Sequence, residues 1–139
     1  MKPVRFLIVL VALHATLGTA QAQTTAAKFD SFYSKFTTAV ASRDTQTLQQ
    51  MMANDFEFFT TKHASPAEVF QGLAVDGGLQ WGNLQSAVQG DAPVIQKYHG
   101  KASRLVTCTP TQVIYNCFVV FQQDNAGRWR WKGMVMPEK

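Results

Sequence analysis

The stretch Cys117-Phe118-Val119-Val120-Phe121-Gln122-Gln123-Asp124-Asn125-Ala126-Gly127-Arg128-Trp129-Arg130-Trp131-Lys132-Gly133-Met134-Val135-Met136 decides the fold. Two runs rich in β-branched and aromatic residues flank Asp124-Asn125-Ala126-Gly127. That tetrapeptide reads as a type I turn closed by a glycine in the left-handed region, a common hairpin connection. Pairing Asp124 with Arg128 sets Gln123 opposite Trp129, Phe121 opposite Trp131, Val119 opposite Gly133 and Cys117 opposite Val135. The other face then pairs Gln122 with Arg130, Val120 with Lys132 and Phe118 with Met134. The first face is apolar except at its tip. The second is polar at the turn and apolar further in. One face therefore packs on a core and the other is half wet, as in a curved sheet laid over helices.

Val94 to Tyr98, Ser103 to Thr109 and Val113 to Gln123, the last running into the hairpin, have strand composition. The elements before Pro93 are mostly helical. Phe29, Phe32, Tyr33, Phe36 and Val40 form one apolar stripe at helical spacing, which predicts a helix over Ala26 to Arg43. Asp44 is an N-cap for a second helix through Ala53, with Leu48, Met51 and Met52 buried and Asn54-Asp55 as its stop. Phe56 to Thr60 is a short aromatic strand. Ser65-Pro66-Ala67-Glu68 is a capping box with proline at the first helical position. The helix it opens stops before Asp76-Gly77-Gly78, and another runs from Leu79 to Gln89, closed by Gly90. The fold class expected is α+β, with N-terminal helices packed in a curved, mostly antiparallel sheet, a cone-shaped half-barrel.

The pattern Phe29-x-x-Phe32-Tyr33-x-x-Phe36-x-x-Ala39-Val40-x-x-x-Asp44-x-x-x-Leu48, with Asp55-Phe56-Glu57-Phe58-Phe59, the Ser65 to Leu73 helix and Gly127-Arg128-Trp129-Arg130-Trp131-Lys132, resembles small secreted members of the nuclear-transport-factor-2-like (cystatin-like α+β cone) superfamily. The resemblance implies a curved sheet wrapped around the first helices, leaving a pocket. It implies no single activity, because that superfamily holds isomerases, dehydratases, ligand binders and interaction modules. Tyr33 matches the tyrosine of its ketosteroid-isomerase-like enzymes by type and approximate place. The acid pair of those enzymes has no match here.

Residues 1–22 read as a secretory signal. Lys2 and Arg5 precede the apolar run Phe6 to Leu13, and Ala20-Gln21-Ala22 is an A-x-A cleavage site, so cutting after Ala22 is expected. The run is too short for a stable membrane span. The expected domains are thus a signal over 1–22 and one α+β domain over 23–139, exported to a periplasm or the extracellular space. The full chain of 139 residues has 13 Lys+Arg against 9 Asp+Glu. Losing Lys2 and Arg5 lowers the net charge from +4 to +2. With the remaining cations scattered, nucleic acid is not an expected partner. In an oxidising compartment Cys108 and Cys117 read as a disulfide. Two reduced thiols are the alternative, since a tight turn would set the two positions diagonally.

Chemistry is sparse. Metal binding lacks H-E-x-x-H or clustered carboxylates, hydrolysis lacks G-x-S-x-G, and no Gly-rich phosphate loop follows a strand, so neither metal nor cofactor is expected. The acid–base candidates are Tyr33, Asp55 and His63, with Glu57 and His99 as further titratable groups. The aromatic load is the stronger signal, and Tyr33, Phe36, Phe58, Trp81, Tyr115 and Trp131 are expected to line an apolar ligand pocket. Phe118, Val120, Arg130, Lys132 and Met134 are expected to form an exposed interaction or homodimer face. Three functions follow in order: a non-catalytic module for a small apolar or amphipathic ligand, a protein-interaction module, and an isomerase- or dehydratase-like enzyme.

Overall fold

A computed structural model describes residues 16–108 and 117–137, with side chains from residue 25. The chain runs α1 (Thr16–Ser42), α2 (Thr45–Met51), β1 (Met52–Phe58), α3 (Pro66–Gln89), β2 (Val94–Tyr98), β3 (Lys101–Cys108), β4 (Cys117–Gln123) and β5 (Trp129–Val135). This is the α+β arrangement expected. The sheet order is β1-β5-β4-β3-β2, with β1 parallel to β5 and every other pair antiparallel.

Local chemistry sets the helices. The α1 stripe buries Phe29, Phe36, Ala39 and Val40. The described part of the helix reaches back to Thr16, upstream of the expected start, and includes Ala20-Gln21-Ala22-Gln23, residues of good helix propensity. It thus runs through the expected cleavage site. Asp44 caps α2, its Oδ1 accepting from the Thr47 amide at 3.0 Å. The Ser65–Glu68 capping box closes with bonds of 2.7 and 3.3 Å. The two helices expected either side of Asp76-Gly77-Gly78 form α3, kinked where these three residues take positive φ. The second helix ends early: Met52 is extended and opens β1, so Asp55 lies inside a strand rather than stopping a helix.

The final hairpin keeps its expected register only near the turn. Gln123 faces Trp129, Gln122 faces Arg130 and Phe121 faces Trp131, but Val120 then faces Gly133. Lys132 is an extra residue in β5, a bulge. Beyond it every β5 side chain changes face. Met134, expected outward with Phe118, is fully buried on the helix side. Val135, expected inward with Cys117, joins Leu105 and Val120 on the outer face, with Phe118 and Tyr98 against them. The pairing of Val120 with Lys132 is corrected by the same slip.

The main core lies between helices and sheet. Trp131 is fully buried, with Phe56 at 4.7 Å and Phe36 at 5.2 Å edge-on to its ring. Cys108 and Cys117 face each other directly in the β3–β4 register, Cα atoms 5.0 Å apart, and are joined by a disulfide. The turn expected between them lies outside the described residues. Direct opposition removes the diagonal geometry that a tight turn would have imposed.

Two stability outcomes follow. A Cβ on Gly133 would stand 2.6 Å from the Glu57 carbonyl oxygen and 3.3 Å from the Glu57 Cβ. Gly133→Ala should therefore cost about 1–3 kcal/mol in chemical denaturation, as overpacking does; an unchanged midpoint would refute the close approach of β1 to β5. Replacing both cysteines by serine opens a loop of sequence separation 9. It should cost about 2–3 kcal/mol on the loop-entropy account, with an equal loss in wild type under reductant.

Candidate functional site

The outer face of the sheet, away from the helices, has two zones. Leu105, Val120 and Val135 form a small buried apolar cluster. Toward the β4–β5 turn the same face becomes polar. There a cleft of about 440 Å³ opens between the end of α2, the first half of β1 and the hairpin tip. Six amide side chains line it: Gln49, Gln50, Asn54, Gln122, Gln123 and Asn125. Lys101, Arg128, Arg130 and Lys132 supply cations, Asp55 and Asp124 carboxylates, and only Met52 and Ala53 are apolar.

Asp124 organises one wall. Its Oδ1 accepts from the backbone amides of Ala126 and Arg128, each at 2.9 Å. Its Oδ2 accepts from Arg128 Nε at 3.0 Å and Arg130 Nε at 3.1 Å. The Arg128 amide foremost, then the two guanidinium groups and the Ala126 amide, hold this carboxyl down to about 2 against some burial. Arg130 also donates Nη1 to the Gln50 carbonyl at 2.9 Å, tying the hairpin to the C-terminal end of α2. The opposite wall is set by the bulge. Lys132 donates to the Asp55 carbonyl at 2.6 Å and to Asp55 Oδ2 at 2.8 Å, and lies 3.6 Å from Glu57 Oε1. The Lys132 bond and charge lower the Asp55 carboxyl despite partial burial.

A latch closes the face beside this cleft. Glu57 Oε2 accepts from Tyr98 Oη at 2.6 Å, and His99 Nε2 lies 3.2 Å from Glu57 Oε1. Glu57 is on β1 and Tyr98 ends β2, the two edges of the sheet. Four strand steps would separate those edges by about 19 Å in a flat sheet. The contact therefore requires the sheet to curl, bringing the β2 end over its own outer face. Gln122 Nε2 completes the closure, donating to the Tyr98 carbonyl at 3.0 Å and to Ser103 Oγ at 2.9 Å. Ser103, Gln122 and Lys132 are accordingly buried. Burial pushes the Glu57 carboxyl up, but the Tyr98 and His99 bonds and the Lys132 charge together hold it below its ordinary 4.5.

The residues expected to form sites fall as follows. Phe36, Trp81 and Trp131 are buried in the main core, with Tyr33 and Phe58 packed against it. Trp131 Nε1 donates to the Gly133 carbonyl at 3.2 Å, so it is not a donor left for a ligand. Phe58 borders a shallow cleft beside Gly72. Tyr115 lies outside the described residues. Tyr33 Oη and Trp129 Nε1 are enclosed with no hydrogen-bond partner among the described residues, and burial raises the Tyr33 pKa. Tyr33, Asp55 and His63 do not converge. Tyr33 stacks on Phe29 on the helix side, Asp55 is paired with Lys132 on the outer face, and His63 is exposed in a turn with φ 55°. Of the expected interaction face, Val120 is fully buried, Phe118 is partly covered and Lys132 is enclosed by acids. Met134 is on the wrong side of the sheet for it, moved by the bulge. Arg130 remains on the outer face, as a wall of the cleft.

Sequence reasoning missed Gln49, Gln50, Asn54 and Lys101 as cleft residues, and Tyr98 as a latch. The one available signal was the alternation of Arg128, Arg130 and Lys132 beside Asp124. Among the described residues no group of three or more His, Cys, Asp and Glu could hold a metal ion.

The lowered Glu57 carboxyl makes the latch acid-sensitive. Its stabilisation is fully present above the unfolded value and is lost as pH falls through the lower folded one. Wild type should therefore be more stable than Glu57→Gln at pH 7, with the gap closing as pH drops from about 5 to 3. A gap that stays constant across this range in denaturation curves would show that the carboxylate does not hold the latch. Among known proteins no family model, no curated protein and no solved structure matches this chain.

Proposed function

We propose that this chain is an exported, non-catalytic binding module that takes a small hydrophilic molecule in the cleft between β1 and the β4–β5 turn. The observation that carries the reading is the cleft lining. Most small-molecule sites are apolar with a few polar groups. This one reverses that ratio, with twelve polar side chains against Met52 and Ala53. Its volume of about 440 Å³ suits a small molecule rather than a polypeptide segment. The walls are also preorganised, since Asp124, Arg130 and Lys132 are held by several bonds each.

The described members of the aromatic set support stability instead, because they pack in or against one core. An apolar ligand would have to displace that packing. Both cleft carboxyls are held below their ordinary values. They serve as acceptors and orienting charges rather than as general acids near neutral pH. The Cys108–Cys117 disulfide agrees with export, and no described helix is long and apolar enough to cross a membrane. The layout of helices and curved sheet is compatible with the nuclear-transport-factor-2-like resemblance, which stays part of this reading.

Native mass spectrometry of the protein recovered from its host tests the whole reading. The expected species starts at Gln23, is two hydrogens lighter than the reduced chain, and carries a small polar adduct. Arg130→Ala should lose that adduct while keeping the disulfide. A chain starting at Met1 would refute export, and an adduct retained undiminished by Arg130→Ala would refute this cleft.

A further inference from the structure

We infer that the ligand of this cleft carries an oxyanion, a carboxylate, phosphate or sulfate group, gripped by Lys101, Arg128 and Arg130; this rests on the cleft being the binding site. The fold has already used part of the cleft's donors and acceptors. Asp124 accepts four hydrogen bonds, two on each oxygen, and has no capacity left for a ligand. Lys132 has three donors, and the Asp55 carbonyl, the Asp55 carboxylate and Glu57 surround it. These groups build the walls.

Among the charged groups of the lining, most of the unused capacity is donor, while Asp55, its side chain 59% exposed, keeps acceptor capacity beside them. Lys101 lines the cleft, is exposed, and has no ion pair within 4.0 Å among the described residues, though its charge helps to lower the Asp55 carboxyl. Arg128 uses only Nε on Asp124, and its side chain is 67% exposed. Arg130 uses Nε and Nη1, so its other terminal nitrogen makes no bond among the described residues. A guanidinium carries five N–H donors, so both arginines keep a free edge. Four cations against two carboxylates give the cleft a net +2. A neutral polyol could use the amides of the lining but would gain nothing from that net positive charge. An oxyanion needs donors and positive charge, and charge-assisted bonds to it are about twice as strong as neutral ones.

Isothermal titration of the full chain in a low-salt amine buffer, with inorganic phosphate, citrate and lactose as probes, tests this. Saturable one-to-one binding of phosphate or citrate is expected. Lys101→Ala and Arg128→Ala should each weaken it about tenfold or more. Added sodium chloride should weaken it further. Lys97→Ala removes an exposed cation outside the cleft and should leave the affinity unchanged. The preferred probe separates a phosphate-type from a carboxylate-type ligand. Binding that survives both cleft variants, or falls equally in Lys97→Ala, would mean an adventitious ion only and would overturn the inference. Lactose binding without phosphate or citrate binding would overturn the oxyanion while leaving the hydrophilic-ligand reading intact. No heat from any probe would also overturn the oxyanion, and the fate of the retained adduct in Arg130→Ala would then decide the cleft separately.

Discussion

The extra residue at Lys132 is the constraint on which the rest of the sheet depends. A regular hairpin would set Lys132 opposite Val120 and direct it across β4. The bulge instead brings Gly133 opposite Val120 and sends the Lys132 ammonium to Asp55 and Glu57 on the parallel neighbour β1. β1 can come this close only because Gly133 has no Cβ to meet the Glu57 carbonyl. The two residues therefore work together. One frees a lysine to neutralise the acids of β1, and the other makes room for the backbone that carries them. A bulge also increases local twist, which agrees with a sheet whose two edges meet through Tyr98 and Glu57.

The same irregularity separates the apolar core from the polar cleft. Inward of the bulge, Trp131 and Phe121 keep their paired positions and Met134 turns in behind them, so the helix-facing side is a continuous apolar core. Outward, Lys132, Arg130 and Gln122 lie next to Asp55 and Asp124, where among the described helices only the C-terminal end of α2 reaches the cleft. Burying Lys132 without those carboxylates would cost several kcal/mol. With them, the charge becomes part of a wall. Polar groups left near this end of the sheet thus come to line a cleft, while the aromatic residues are used where water is excluded.

Much of this was legible in the chain. The caps at Asp44 and Ser65, the kink at Asp76-Gly77-Gly78 and the Asp124–Gly127 turn all rest on local rules that tertiary contacts did not override. The Cys108–Cys117 pairing was legible as chemistry, though its direct opposition needed the strand register. The bulge was not legible, because Lys132-Gly133-Met134-Val135 satisfies strand alternation in either register, with one apolar residue available for each face. Asp55 was misread for a related reason. After Leu48, Met51 and Met52 an Asn-Asp pair is a reasonable helix stop, and only the pairing of β1 with β5 places it in a strand. An aromatic set is a weak pocket signal because residue type does not distinguish a packed ring from a lining ring. Phe36, Trp81 and Trp131 have the same composition in either case, and their burial is a property of the assembled layers.

The latch and the cleft are not independent. Gln122 lines the cleft and also holds the Tyr98 carbonyl, and Lys132 faces Asp55 on the cleft side and Glu57 on the latch side. Lys132 therefore stands between two carboxylates, the second of which Tyr98 and His99 also hold. Its bond to the first is the one that foremost lowers the Asp55 pKa. Tyr98, at the end of β2, is thus connected to the cleft wall through two carboxylates and one lysine. The curl of the sheet therefore bears on the cleft as much as on the core: it brings the residue that ends β2 onto a carboxylate that faces Lys132.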